Sequence, residues 1–231
     1  MKYNKEQLIK KRGIGKPTIV VDVDDTLINS SETVIDVLSR TYKFTDRIKS
    51  LAPQKIYENL SNWEYFSFFC KSDDALRLKI DEDVKHIFES ELFWNNVVLK
   101  KNVDLLFKEF GKNFKWIINS MGTQKNLEFK RDFLIKHLPE NIDYELVLKT
   151  KEWGEKIEKE DLIGDVIIDD RLDVLLKNKT PFKILLKNFR KTDYNGGHGS
   201  SYYYMMNEQI YEVNDIEEIM NILNFYKEFN I

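Results

Sequence analysis

Asp22, Asp24 and Asp25 crowd the end of the run TIVVDVDD, and a second acidic pair, Asp169 and Asp170, closes VIIDD. The first run is β-branched and apolar on both faces before it turns acidic, as a buried parallel strand requires. Alternation along such a strand puts Asp22 and Asp24 on one side, so two carboxylates converge. Their repulsion is costly unless a shared proton or a cation compensates it, and Mg²⁺, a hard ion that takes carboxylate oxygens, is the usual answer. In a parallel sheet the carboxyl ends of all strands lie on one edge, where open α/β sheets bind ligands, so the two acidic groups can meet around one ion. Either group alone also reads as an ordinary strand end or helix cap. Jointly they make Asp22, Asp24, Asp169 and Asp170 the expected metal ligands.

The rest of the chain supplies elements to hold them. From 29 to 97 there is little strand signal, and segments such as SETVIDVLSRTY and PQKIYENLSNWEYFSFF carry apolar residues at helical spacings of three and four. Thereafter the pattern alternates: helix near 98–110, strand 114–119, helix 124–138, strand 144–149, helix near 152–160, strand 165–169, helix 170–178 and strand 182–186. Strands alternating with helices mean βαβ units on a parallel sheet. The stretch from Asn188 to Asn207 contains NGGHGSS and reads as a surface loop; QIYEV reads as an edge strand, and DIEEIMNILNFYKEF as a closing helix capped by Asp215. The predicted fold class is α/β, a Rossmann-like doubly wound parallel sheet with a small helical cap inserted after the first strand. Its parts are a basic N-terminal arm (1–17), a core (18–28 and 98–231) and the cap (29–97).

IVVDVDDTL resembles the DxDxT signature of the haloacid dehalogenase-like phosphohydrolases, and VIIDD resembles their fourth, metal-binding motif. The resemblance implies Asp22 as the nucleophile that forms an aspartyl-phosphate, Asp24 as general acid/base, and Asp170, helped by Asp169, as the Mg²⁺ anchor. The residue types suit that chemistry: one carboxylate can attack phosphorus while a second protonates the leaving alkoxide. The family's second motif is a Ser or Thr after the second core strand, which Ser120 of WIINS supplies, with Asn119 as the alternative register. Its third motif is a lysine before the acidic pair; Lys151, Lys156 and Lys159 fall in that window, and Lys151 stands nearest the carboxyl end of the preceding strand. The segment NLEFKRDFLIKHLP, followed by a strand, the lysine window and GDVIIDDR, is similar to 5′(3′)-deoxyribonucleotidases, and this implies that Lys130 reaches the substrate phosphate. Leu127 and Leu134 flank Lys130 at helical spacing, which puts it on an apolar stripe.

Five aromatic residues lie between Trp63 and Cys70: Trp63, Tyr65, Phe66, Phe68 and Phe69. They read either as the core of the cap or as a base-stacking surface, for which Trp63, Phe66 and Phe69 are the candidates. In 231 residues, 36 Lys and Arg stand against 39 Asp and Glu, a net charge of −3 that argues against a protein built to coat nucleic acid or anionic membrane. The basic arm leaves a nucleic-acid contact open. Cys70 is the only cysteine, so no intramolecular disulfide or thiolate zinc cluster forms; the composition suits the cytoplasm, and no apolar run is long enough to span a membrane. The expectation is a Mg²⁺-dependent phosphomonoesterase acting on a small phosphorylated substrate, a (deoxy)ribonucleoside monophosphate. The alternatives are a phosphatase of nucleic-acid 3′ ends or sugar phosphates, or an idle nucleotide binder.

Overall fold

The computed structural model describes residues 15–51, 56, 65–150, 162–187 and 210–230. Six strands make one parallel sheet: β1 (Thr18–Asp22), β2 (Lys115–Gly122), β3 (Tyr144–Thr150), β4 (Val166–Asp169), β5 (Phe182–Leu186) and β6 (Ile210–Val213). Their order, β3-β2-β1-β4-β5-β6, reverses direction between β1 and β4. That reversal is the switch point at which doubly wound sheets open a crevice for ligands. Both acidic groups stand there, at the carboxyl ends of the two central strands. Ile19, Val21, Val166 and Ile168 are fully buried, and Val20 and Ile167 nearly so, which is why these strands are apolar on both faces.

Every described element between β1 and β2 is helical: α1 (Ser30–Ser39), α2 (Asp46–Lys49), a 3₁₀ turn (Tyr65–Phe68), α3 (Asp74–Ile87), α4 (Glu91–Trp94) and α5 (Val103–Phe110). The two ends of the stretch meet, since Ile28 and Leu99 form an antiparallel bridge and the Lys100 amide donates to the Leu27 carbonyl at 2.8 Å. This bridge, with Asn102 in the left-handed region at φ 70°, delays the helix expected near 98–110 until Val103. After β2 come α6 (Gln124–His137), α7 (Leu172–Lys177) and α8 (Ile216–Asn230). Asp215 caps α8, its Oδ1 accepting from the Glu218 amide at 2.9 Å. β2 runs three residues beyond its expected end because β3 pairs with it as far as Gly122 and Thr150. The helix expected near 152–160, the loop from Asn188 to Asn207 and residues 1–14 of the basic arm lie outside the described residues.

The apolar interior is continuous from the sheet into the inserted helices. Phe68, Ile80 and Val84 belong to the same buried cluster as Trp116, Ile118 and Ile168. Removing the Phe68 ring leaves a cavity in that shared interior, so Phe68→Ala should lower the unfolding free energy by about 3–5 kcal/mol. Urea denaturation followed by fluorescence and by circular dichroism should give one coincident transition; two separated transitions would show that the inserted helices have a core of their own.

Candidate active site

Asp22, the last residue of β1, stands in register with Asn119 of β2. Val21 is in register with Ile168, so Asp169 follows one step later on β4, at the level of Asp22. In-register residues of parallel strands point to the same face, and Asp22, Asn119 and Asp169 therefore form a row across three adjacent strands. Asp170 completes the group. Carboxylate oxygens of Asp22, Asp169 and Asp170 lie within 4.8 Å of one another, and all three residues are buried. The Asp169 carboxylate also accepts from the Arg171 amide at 2.9 Å, and the Thr26 hydroxyl lies 3.5 Å from Asp170 Oδ1. Three charges so close repel strongly in a low-dielectric setting, and hard oxygen donors in this number and spacing fit a Mg²⁺ ion.

The side chain of Asp24 is not in this group. β1 has ended, and the chain winds into a tight turn in which the amides of Thr26, Leu27 and Ile28 all donate to the Val23 carbonyl at 2.9–3.3 Å. That turn carries Asp24 toward β2 and α6, where its Oδ2 accepts from Lys130 Nζ at 2.5 Å and lies 3.4 Å from the Ser120 hydroxyl. Lys130 Nζ also donates to Ser120 Oγ at 2.8 Å. Lys130 is 1 % exposed, lying between buried Leu127 and Leu134 on α6, the stripe its spacing indicates. Asp24 Oδ1 is buried without a hydrogen-bond partner among the described residues. The turn itself needs Asp25 in the left-handed region, at φ 56°, which for a residue with a Cβ costs about 1–2 kcal/mol, less for Asp than for most. Asp25 offsets this by accepting from the Ser31 amide at 2.8 Å and from the Ser31 hydroxyl.

Asn119 and Ser120, alternatives in the sequence, go to different places because neighbouring strand residues face opposite ways. Ser120, fully buried, is committed to Lys130 and Asp24. Asn119 shares the Asp22 face, is 4 % exposed, and its Oδ1 is buried with no partner among the described residues. α6 starts beside this row: Thr123 caps it by accepting from the Asn126 amide at 3.4 Å and donates to Glu89 at 2.6 Å, while Asn126 Nδ2 reaches the Phe88 carbonyl at 2.9 Å. Gly122 permits this approach, since a Cβ there would lie 2.3 Å from Asn126 Oδ1.

Of the aromatic candidates, Phe69 is buried in the inserted helices, its ring stacked on Phe44 at 5.1 Å and near those of Tyr42 and Phe68. Its ring is thus part of the shared apolar interior. Phe66 is half-buried under the Arg77 guanidinium, 4.3 Å from its ring centre. Trp63, Lys151, Lys156 and Lys159 lie outside the described residues. No described helix is long and apolar enough to cross a membrane.

No family model matches the sequence, nor does any curated protein. Solved structures do. A "predicted phosphatase" from Clostridium acetobutylicum superposes with a TM-score of 0.55 at 18% identity, covering 90% of this chain and 99% of that one. A haloacid dehalogenase-like family hydrolase from Streptococcus pneumoniae gives a TM-score of 0.50 at 15% identity, covering 90% and 98%. The fold is that of the haloacid dehalogenase-like hydrolases.

Lys130 and Asp24 form a largely buried ion pair, so removing either partner strands the other. In urea denaturation, Lys130→Met and Asp24→Asn should each destabilise, and the double variant should lose less than their sum by at least about 1 kcal/mol. Additive losses would mean that the two side chains do not depend on each other.

Proposed function

We propose that the protein is a Mg²⁺-dependent phosphomonoesterase of the haloacid dehalogenase-like superfamily that works through an aspartyl-phosphate on Asp22. The observation that carries this reading is the buried triad Asp22, Asp169 and Asp170 at the sheet's switch point, beside a separate carboxylate, Asp24, that Lys130 holds in place. Bound at Asp22, Asp169 and Asp170, Mg²⁺ would neutralise their charge and that of the transferring phosphoryl group. An Asp22 oxygen attacks phosphorus as the bond to the leaving oxygen breaks, and Asp24 gives that oxygen a proton. Water then attacks the aspartyl-phosphate, Asp24 takes the proton back, and inorganic phosphate leaves with Asp22 restored. Lys130 and Ser120 hold Asp24 Oδ2, which leaves Oδ1 to exchange the proton.

Asn119, in register with Asp22 and on the same face, is our choice for the residue whose side-chain Nδ2 donates to a phosphoryl oxygen. Lys130 Nζ has three donors and spends two on Asp24 and Ser120, so the third can reach the phosphate. Lys151 is our choice for the further lysine of the site. The inserted helices act as a cap that excludes bulk water. The substrate we infer is a nucleoside monophosphate, supported by the likeness of residues 126–139 to deoxyribonucleotidases, and the single cysteine fits a cytoplasmic enzyme.

Release of phosphate from p-nitrophenyl phosphate should require Mg²⁺ and stop in excess EDTA. Asp22→Asn should lose at least ~10³-fold in kcat with a melting temperature no lower than that of the native protein, since the nucleophile is gone while carboxylate repulsion is relieved. Asn119→Ala and Lys151→Ala should each lose about 10²-fold in kcat/KM, the usual cost of one donor to the developing charge. Full activity of Asp22→Asn, or in EDTA, would overturn the mechanism. A panel of phosphate esters decides the substrate: nucleoside monophosphates should exceed sugar phosphates at least ~10-fold in kcat/KM, the worth of about 1.4 kcal/mol of added recognition, and the reverse order would overturn the substrate assignment alone.

A further inference from the structure

The turn that carries Asp24 is tied to the inserted helices by a buried chain of hydroxyls. Asp25, next to Asp24, accepts from the Ser31 amide at 2.8 Å on Oδ1 and from the Ser31 hydroxyl on Oδ2. The Asp25 amide donates to Ser30 Oγ at 3.0 Å, so both ends of the residue are fixed to the start of α1. Ser31 Oγ lies 3.1 Å from the hydroxyl of Tyr65, which opens the 3₁₀ turn. A serine hydroxyl has one proton, and here it goes to the Asp25 carboxylate. Tyr65 is therefore the donor to Ser31, and the chain runs in one direction, from phenol to hydroxyl to carboxylate. Tyr65, Ser31 and Asp25 are all 5 % exposed or less.

We propose that Tyr65 is a positioning residue: its hydroxyl, acting through Ser31, holds Asp25 in its left-handed conformation and so sets the direction in which Asp24 leaves the turn. The seating of the 3₁₀ turn and the geometry of the proton-transferring carboxylate are then one event. The 3₁₀ turn is itself anchored, since the Phe68 carbonyl at its end accepts from the Thr45 amide at 2.8 Å and the Tyr65 ring sits in the interior shared with the sheet. The kinetic part of the proposal rests on the phosphatase reading; the structural part does not.

Tyr65→Phe keeps the ring and removes only the donor, and Ser31→Ala removes the relay. Each should be compared with the native protein by amide hydrogen exchange and by kcat and KM for p-nitrophenyl phosphate with Mg²⁺. In both variants the amides of residues 24–31 should exchange about 10-fold faster, the equivalent of one hydrogen bond, with the amides of β2 and β4 unchanged. In both, kcat should fall about 10-fold with KM within two-fold, and the double variant should be no worse than either single one, because one chain has been cut twice. Native exchange rates at 24–31 in Tyr65→Phe, or an unchanged kcat alongside faster exchange, would overturn the proposal. A native protein that hydrolyses nothing would overturn the phosphatase reading instead, and the exchange data would still decide the coupling.

Discussion

Three buried carboxylates within the reach of one ion set the terms for the rest of this molecule. Asp22, Asp169 and Asp170 repel one another most strongly where the dielectric is lowest, and the fold holds them there by burying the strands that end in them. Parallel pairing of β1 with β4 brings the two acidic ends to one level, and the reversal of strand order leaves space above them. A sheet that did not reverse at β1 would cover that edge with a connection.

A second constraint separates the roles of the carboxylates. Asp22 and Asp24 are two residues apart, yet the turn after β1 sends Asp24 away from the triad to a lysine 106 residues further along. The separation depends on three supports: amides gathered on the Val23 carbonyl, Asp25 in its left-handed conformation, and Lys130 buried on the apolar side of α6. A buried lysine against a carboxylate is costly unless hydrogen bonds complete it, and Ser120 supplies the second bond. The inserted helices take part because Asp25 is anchored on α1 and their interior is continuous with that of the sheet.

Much of this was legible in the chain because it is local. The β-branched run before Asp22 makes a buried strand, alternating helix and strand signals make a parallel sheet, and Asp215 starts the last helix, all within windows of ten or so residues. Position on the stripe flanked by Leu127 and Leu134 was legible for Lys130, but its partner was not, since spacing gives a face and says nothing about what packs on it. Asn119 and Ser120 differ by one step along β2, which reverses the side chain, and the added pairing with β3 beyond residue 119 that fixes their surroundings has no local signal. Phe69 shows the same limit, because a dense aromatic run serves a core or a ligand equally well until the neighbours of each ring are known. The link from Tyr65 to Ser31 has no sequence motif and depends on the inserted segment folding back onto its own start.

The central claim is that Asp22 takes the phosphoryl group. Mass spectrometry of protein quenched in acid during turnover of p-nitrophenyl phosphate tests it directly. The account predicts one phosphoryl group on the peptide containing Asp22, absent from the Asp22→Asn protein. A phosphoryl group on any other residue, or one retained in Asp22→Asn, would contradict it.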